Sequence, residues 1–404
     1  MTYREKLELY KQGKLPEPER EQVEHDIDRH EAIGEYLLDE IELPGLDPAS
    51  PLPGSEEQQE DAKRLTSQIN ASIRKAFVKC GVIVGAAVLA IVLFSTLALP
   101  RIVDCFYYDP AQSVGEPNED GYCSNRLSLE LGVYSELCLP AAYRDVAEVE
   151  RRGFGRYDLI LPNYYGGGTV IGSLERNRLT YYAPDSLLMP VANVFYPELA
   201  GTVCRTWELW KPSMREARLM LNELPEGQNY VAYCTLDGVM SYNELIEWMT
   251  RHQVDVRWAA LCYKVPAEQA EYYGGASYCM CGMTCHVGMN IRPGCTEKTF
   301  DAEKYPLLTA YSLGRITDEE ENWIPSAEAA KRHVASMFRY VDDNPDFFNW
   351  NGLNTDDHWY QNMAQRVEED GLLFYGFVTV GTKDELLRIA DVEHLAYIDA
   401  PKSQ

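Results

Sequence analysis

CGVIVGAAVLAIVLFSTLAL, Cys80 to Leu99, is a run of 20 residues with no charge, proline, Asn or Gln. At about 1.5 Å of rise per residue, a helix of that length covers the roughly 30 Å hydrocarbon core of a bilayer. A helix buried in a soluble core seldom stays apolar on every face for so long. The run therefore reads as the single transmembrane helix, residues 80–99, of a chain that occupies two compartments. What precedes it is not the short basic lead of a secretory signal. LLFYGFVTV, Leu372 to Val380, is also apolar but has only the length of a strand.

The flanks set the orientation. Lys63, Arg64, Arg74, Lys75 and Lys79 stand before the run, whereas Arg101 after it is soon followed by Asp104 and Asp109. Basic residues stay in the cytoplasm, which predicts an inner N-terminus and an outer C-terminus. Phe106, Tyr107 and Tyr108 then fall at the level of an outer aromatic belt.

The net charge of −26 divides at the membrane. Residues 1–79 hold 11 Lys/Arg against 18 Asp/Glu, a net of −7; the remainder holds 26 against 45, a net of −19. A head this acidic excludes direct nucleic-acid binding, while leaving open a partner that itself binds nucleic acid. Ten of the 11 cysteines follow the span, and Cys80 begins it. An even number outside reads as disulfides or as thiols, with pairing not fixed by sequence.

Inward from the span, residues 1–42 read as a small all-α cytoplasmic head. Tyr3, Leu7 and Tyr10 share one face of a first helix that Gly13 ends. Pro16 and two glutamates then open a second helix of roughly six to seven turns. Val23, Ile27, His30, Gly34, Leu37, Leu38 and Ile41 form its stripe. Such a pair is too small to bury a core alone, so the stripe needs a partner or a second copy. Residues 43–58, rich in Pro and Gly, read as a disordered tether, and 59–79 as a polar juxtamembrane helix.

Outward from the span, residues 100–404 read as a large α+β extracellular domain. Leu159 to Ala183 predicts strands around a glycine-rich turn. Two later segments share one pattern of strand, S/T-x-x-E capping box, helix and strand. One runs from Asn229 through Ser241 and Glu244 to Tyr263, the other from Phe374 through Thr382 and Glu385 to Asp399. They predict two βαβ halves, with helices over Ser326 to Tyr340 and Asp357 to Glu369 between them.

The chemistry-bearing residues do not assemble into a catalytic motif. No G-x-S-x-G, H-E-x-x-H or Walker loop occurs, and the histidines are scattered, so neither an enzyme nor a cofactor is expected. Cys279, Cys281, Cys285 and His286 are the one candidate metal cluster, in a spacing that is not a usual structural-zinc pattern. Asp343 to Tyr360 mixes aromatics with Asn and Asp, as carbohydrate-binding loops do and as folded loops between helices also do.

Tyr3 to Glu40, YREKLELYKQGKLPEPEREQVEHDIDRHEAIGEYLLDE, resembles the N-terminal domain of transmembrane anti-sigma factors of Gram-positive bacteria. GFGRYDL (Gly153 to Leu159), VRWAAL (Val256 to Leu261) and YGFVTVGTKDELLRI (Tyr375 to Ile389) resemble that family's C-terminal sigma-factor-regulator domain, over about residues 150–400. The resemblance implies a head that holds an extracytoplasmic-function sigma factor at the membrane until the outer domain receives a signal. The contact it implies is Leu7 and Tyr10 with Val23, Ile27, His30 and Leu37. Many heads of this family carry an H-x3-C-x2-C zinc site; the pattern started at His25 or His30 meets no cysteine, so no zinc is expected here. Release would come through a membrane protease or a second membrane regulator, or by a change carried through the span. The rival readings are a surface receptor, an adhesin, or an exported thiol or metal protein whose head only anchors or dimerises.

Overall fold

The computed structural model describes residues 3–39, 56–140, 144–162, 167–182, 195–200, 212–282, 285–292, 294, 296–317 and 323–401. It divides into two compact units, Met1–Ala87 and Val88–Gln404.

The first unit begins with α1 (Tyr3–Lys11) and α2 (Glu17–Asp39). Gly13, at φ +68°, takes the left-handed position that ends α1, and Lys14 N–H closes the turn on Leu9 O at 3.0 Å. Glu17 and Glu19 occupy the positive end of α2. Tyr3 Oη donates to Asp26 at 2.8 Å, Tyr10 Oη donates to Glu24 at 3.3 Å, and Lys6 lies 3.6 Å from Glu19. Among the described side chains, Leu15 and Val23 are the buried residues of this hairpin.

A third helix, α3, runs Glu56–Leu93. It starts three residues inside the expected tether, because Gly54 is the last helix breaker before it and acidic residues suit a helix start; residues 43–55 lie outside the described residues. The same rod continues through a π turn, Phe94–Ala98, and a last α turn, Leu99–Asp104, so it outruns the expected end of the span by five residues. Pro100 has no N–H to give the preceding turn, and the wide turn lies just before it. Ser95 Oγ donates to Ile91 O at 2.8 Å and Thr96 Oγ1 to Val92 O at 2.7 Å, so local hydroxyls serve these carbonyls. Among the described residues this is the one helix long and apolar enough to cross a membrane, and its apolar stretch is bare on every side. That bareness removes the buried-core alternative.

The second unit is α+β. α4 (Arg126–Cys138) is buried nearly all round. Against it packs a meander of β1 (Glu148–Arg151), β2 (Arg156–Pro162), β3 (Gly168–Glu175) and β4 (Arg178–Tyr181), ordered β1-β2-β3-β4 and antiparallel throughout. Asn351 fastens the two: its carbonyl accepts from Tyr134 Oη at 3.1 Å, and its side chain accepts from Tyr181 Oη at 2.6 Å.

After α5 (Met214–Asn222) come β5 (Asn229–Ser241), α6 (Tyr242–His252), β6 (Val256–Lys264), and the short edge strands β7 (Tyr278–Met280) and β8 (Gly288–Asn290). α7 (Ala327–Asp343), α8 (Trp359–Asp370), β9 (Leu373–Thr382), α9 (Lys383–Ile389) and β10 (Leu395–Asp399) follow, with shorter elements between them. Both expected capping boxes form, Ser241 with Glu244 and Thr382 with Glu385. The sheet order is β8-β6-β9-β5-β10, and every pairing is antiparallel. The two βαβ units are therefore interleaved: β9 of the second lies between β5 and β6 of the first, and β5 between β9 and β10. One sheet face carries Cys234, Leu236, Leu261, Phe374 and Phe377 into the main core. The other carries Tyr233, Trp258, Tyr375 and Val378 against Phe195.

Candidate functional site

The first candidate surface is the helical hairpin of the N-terminal unit. Val23 is 1 % exposed and is spent on the hairpin's own contact, whereas Ile27 is 39 % exposed and His30 is exposed as well. Tyr10 is partly buried, its hydroxyl tied to Glu24. The side chains of Leu7 and Leu37 lie outside the described residues. Tyr3 and Ile33 add bare apolar surface to Ile27. Among the described side chains, the exposed large apolar positions of the hairpin are thus Tyr3, Ile27 and Ile33, set among acidic residues.

In the C-terminal unit the polar groups lie deep. The register of β9 breaks between Phe374 and Gly376 against both neighbouring strands, and the residue in the break is Tyr375. Its hydroxyl lies 2.6 Å from His286 Nδ1. Burial lowers His286 to about 4, so the ring is neutral at ordinary pH. Gly376 follows because no side chain fits: a Cβ there would stand 2.8 Å from Cys234 O and from the Phe195 ring.

The cysteines divide. Cys279 is disulfide-bonded. Cys138 and Cys285 face each other with sulfurs 3.9 Å apart, and Cys262 and Cys281 are buried nearby in the sheet region. Burial pushes the Cys138, Cys234, Cys262 and Cys281 thiols up, so none is a ready nucleophile. Cys279, Cys281, Cys285 and His286, close in sequence, do not converge on one point: Cys279 is bridged and His286 turns to Tyr375. Among the described residues no three Cys, His, Asp or Glu side chains gather to hold a metal ion.

Two buried acids on α4 were not visible as sites in the sequence. Glu136 accepts from Asn290 N–H at 3.3 Å and faces His333 Nε2 at 3.0 Å, while its own carbonyl accepts Trp258 Nε1–H at 2.7 Å. A cavity of about 20 Å³ beside it has room for one water. Burial opposes charge on His333, but Glu136 and the Leu307 carbonyl outweigh it and the net shift is upward. Glu130 pairs with Arg126 at 2.8 Å and accepts from the Tyr108 hydroxyl; burial prevails over both and raises it to about 7. Phe347 and Phe348, from the Asn/Asp-rich aromatic stretch, are buried, so those rings serve the core rather than a sugar.

A unit with buried acids, protonated thiols and an interleaved sheet is built to hold a shape. Residues 221–399 match the sigma factor regulator C-terminal family. The matched segment starts at the end of α5 and stops at the last residue of β10, so it takes in the whole interleaved sheet. No curated protein and no solved structure matches the chain. The match supports a regulatory role directed at a sigma factor.

Proposed function

We propose that the chain is a membrane-bound anti-sigma factor. The match of residues 221–399 to the sigma factor regulator C-terminal family, on a chain with one membrane-length helix, carries this reading. The hairpin of α1 and α2 lies in the cytoplasm and sequesters an extracytoplasmic-function sigma factor. Its bare Ile27 and Ile33 seat the partner, and Tyr10, His30, Leu7 and Leu37 complete the contact set that the resemblance implies. Its acidic surroundings face the basic DNA-binding surface that such a factor presents. The C-terminal unit lies outside and responds to a signal there. The basic residues before the apolar run support this orientation.

Regulation here is by binding, not catalysis, and the head meets its sigma factor rather than DNA. Release requires a membrane protease, a second membrane regulator, or a change carried through the helix. The test is capture: full-length protein in membranes, incubated with the extracytoplasmic-function sigma factors of its own cell, should retain one of them and lower its transcription. A chain that does neither returns the reading to a receptor or adhesin.

A further inference from the structure

The long helix ends in a built joint. Asp104, its last residue, is 9 % exposed, and its Oδ1 accepts the N–H of Gly155 at 2.6 Å. Gly155 lies in the turn between β1 and β2, where Gly153, Phe154 and Gly155 have φ of 76°, 59° and 71°. A side chain would be tight at Gly153 and would force a shift at Gly155, and both have left-handed backbone. A Cβ on Gly153 would meet Pro100 at 3.1 Å, and one on Gly155 would meet the Tyr107 ring at 2.6 Å. The next turn joins in: Tyr108 N–H donates to Asn177 Oδ1 at 2.8 Å, and Arg176 N–H to Gly155 O at 2.7 Å.

One polar group of the joint has no hydrogen-bond partner. The Tyr157 hydroxyl is buried and unbonded, on a residue 1 % exposed, and the charged groups acting on it are Asp109, Asp104 and Arg151. Asp109 is committed twice, to Arg151 at 2.7 Å and to Ala111 N–H at 3.0 Å. Asp104 is committed once among the described residues. A buried donor left unmade costs about 1–3 kcal/mol, and a carboxylate that came to accept it would recover that cost.

We propose that Asp104 is a two-position latch between the long helix and the meander. In the position described it holds the Gly155 N–H; in the other it takes the Tyr157 hydroxyl, and the Gly-Phe-Gly turn comes off the helix. Two discrete arrangements are what a switch requires. On the anti-sigma reading above, which this inference rests on, the latch is where the outer unit's state reaches the membrane helix.

The test is hydrogen exchange on the full chain in lipid nanodiscs, read at the Gly155 amide. Tyr157→Phe removes the donor of the second position and should slow exchange there roughly tenfold or more. Asp104→Ala should speed it by a similar factor, with Asp104→Asn in its place if the alanine variant unfolds. In an Asp104→Ala background, Tyr157→Phe should have no further effect. Exchange that is unchanged or faster in Tyr157→Phe alone overturns the latch. Capture of the sigma factor is scored separately, so loss of the anti-sigma reading and loss of the latch give different results.

Discussion

His333 and Glu136, 197 positions apart in sequence, meet at 3.0 Å where almost no solvent reaches. The other ring nitrogen, Nδ1, faces the Leu307 carbonyl at 2.5 Å. Both neighbours accept, so the ring donates from both nitrogens as an imidazolium. Removing it strands a buried carboxylate. His333→Ala should therefore cost about 3–5 kcal/mol, read as a lowered denaturation midpoint of the full chain in micelles. Losing under 1 kcal/mol would mean that the pair is not charged.

The pH response follows from two raised groups and one lowered one. A group raised in the folded state gives stability that is complete below its unfolded value and is lost as pH rises through the folded one. For Glu130 that loss runs from 4.5 up to about 7, and for His333 it begins above 6.5. His286, held near 4, works the other way: its contribution is complete above 6.5 and is lost as pH falls through about 4. The Glu130 and His286 contributions offset each other between 4.5 and 6.5, so melting temperature should change little there and fall above 6.5. Glu130→Gln should uncover a rise in melting temperature from 4.5 to 6.5 and leave the fall above 6.5 that His333 causes.

On the hairpin, Ile27→Glu should weaken sigma-factor capture tenfold or more, because a charge driven into an apolar seat costs about 1–3 kcal/mol. Glu31→Lys, a rim charge, should change capture only a few-fold and in a salt-dependent way. Titration of full-length variants in membranes measures both. Equal effects would remove Ile27 from the contact.

Gly376→Ala probes the bulge that presents Tyr375. Its new methyl must displace Cys234 O or Phe195, both 2.8 Å away, so the second unit should lose about 1–3 kcal/mol. Loss of the near-ultraviolet tyrosine signal alongside would tie the bulge to the His286 contact.

Local chemistry was written plainly in the sequence. The S/T-x-x-E boxes at Ser241 and Thr382 cap helices as read, and the apolar run from Cys80 is one bare helix. Val23 lay on the stripe, yet periodicity cannot distinguish the side that α1 covers from the side left bare. Glu130 and Glu136 sit on a helix that no motif singled out. Arg126, Tyr108, the Asn290 N–H and a histidine far along the chain make their burial tolerable, and no spacing rule connects them. The βαβ units were legible singly, but their interleaving depends on cross-strand register, which neither unit carries alone.

That interleaving sets a timetable. β9 is the strand that joins β5 to β6, and about a hundred residues separate its start from the end of β6. While the chain is being made, β5 and β6 wait with open edges until β9 arrives, and such long-range closure is slow. A copy halted before Leu373 would display unpaired strands to any protease or chaperone it meets. The sheet therefore acts as a completeness check, since only a chain delivered through β9 can close it.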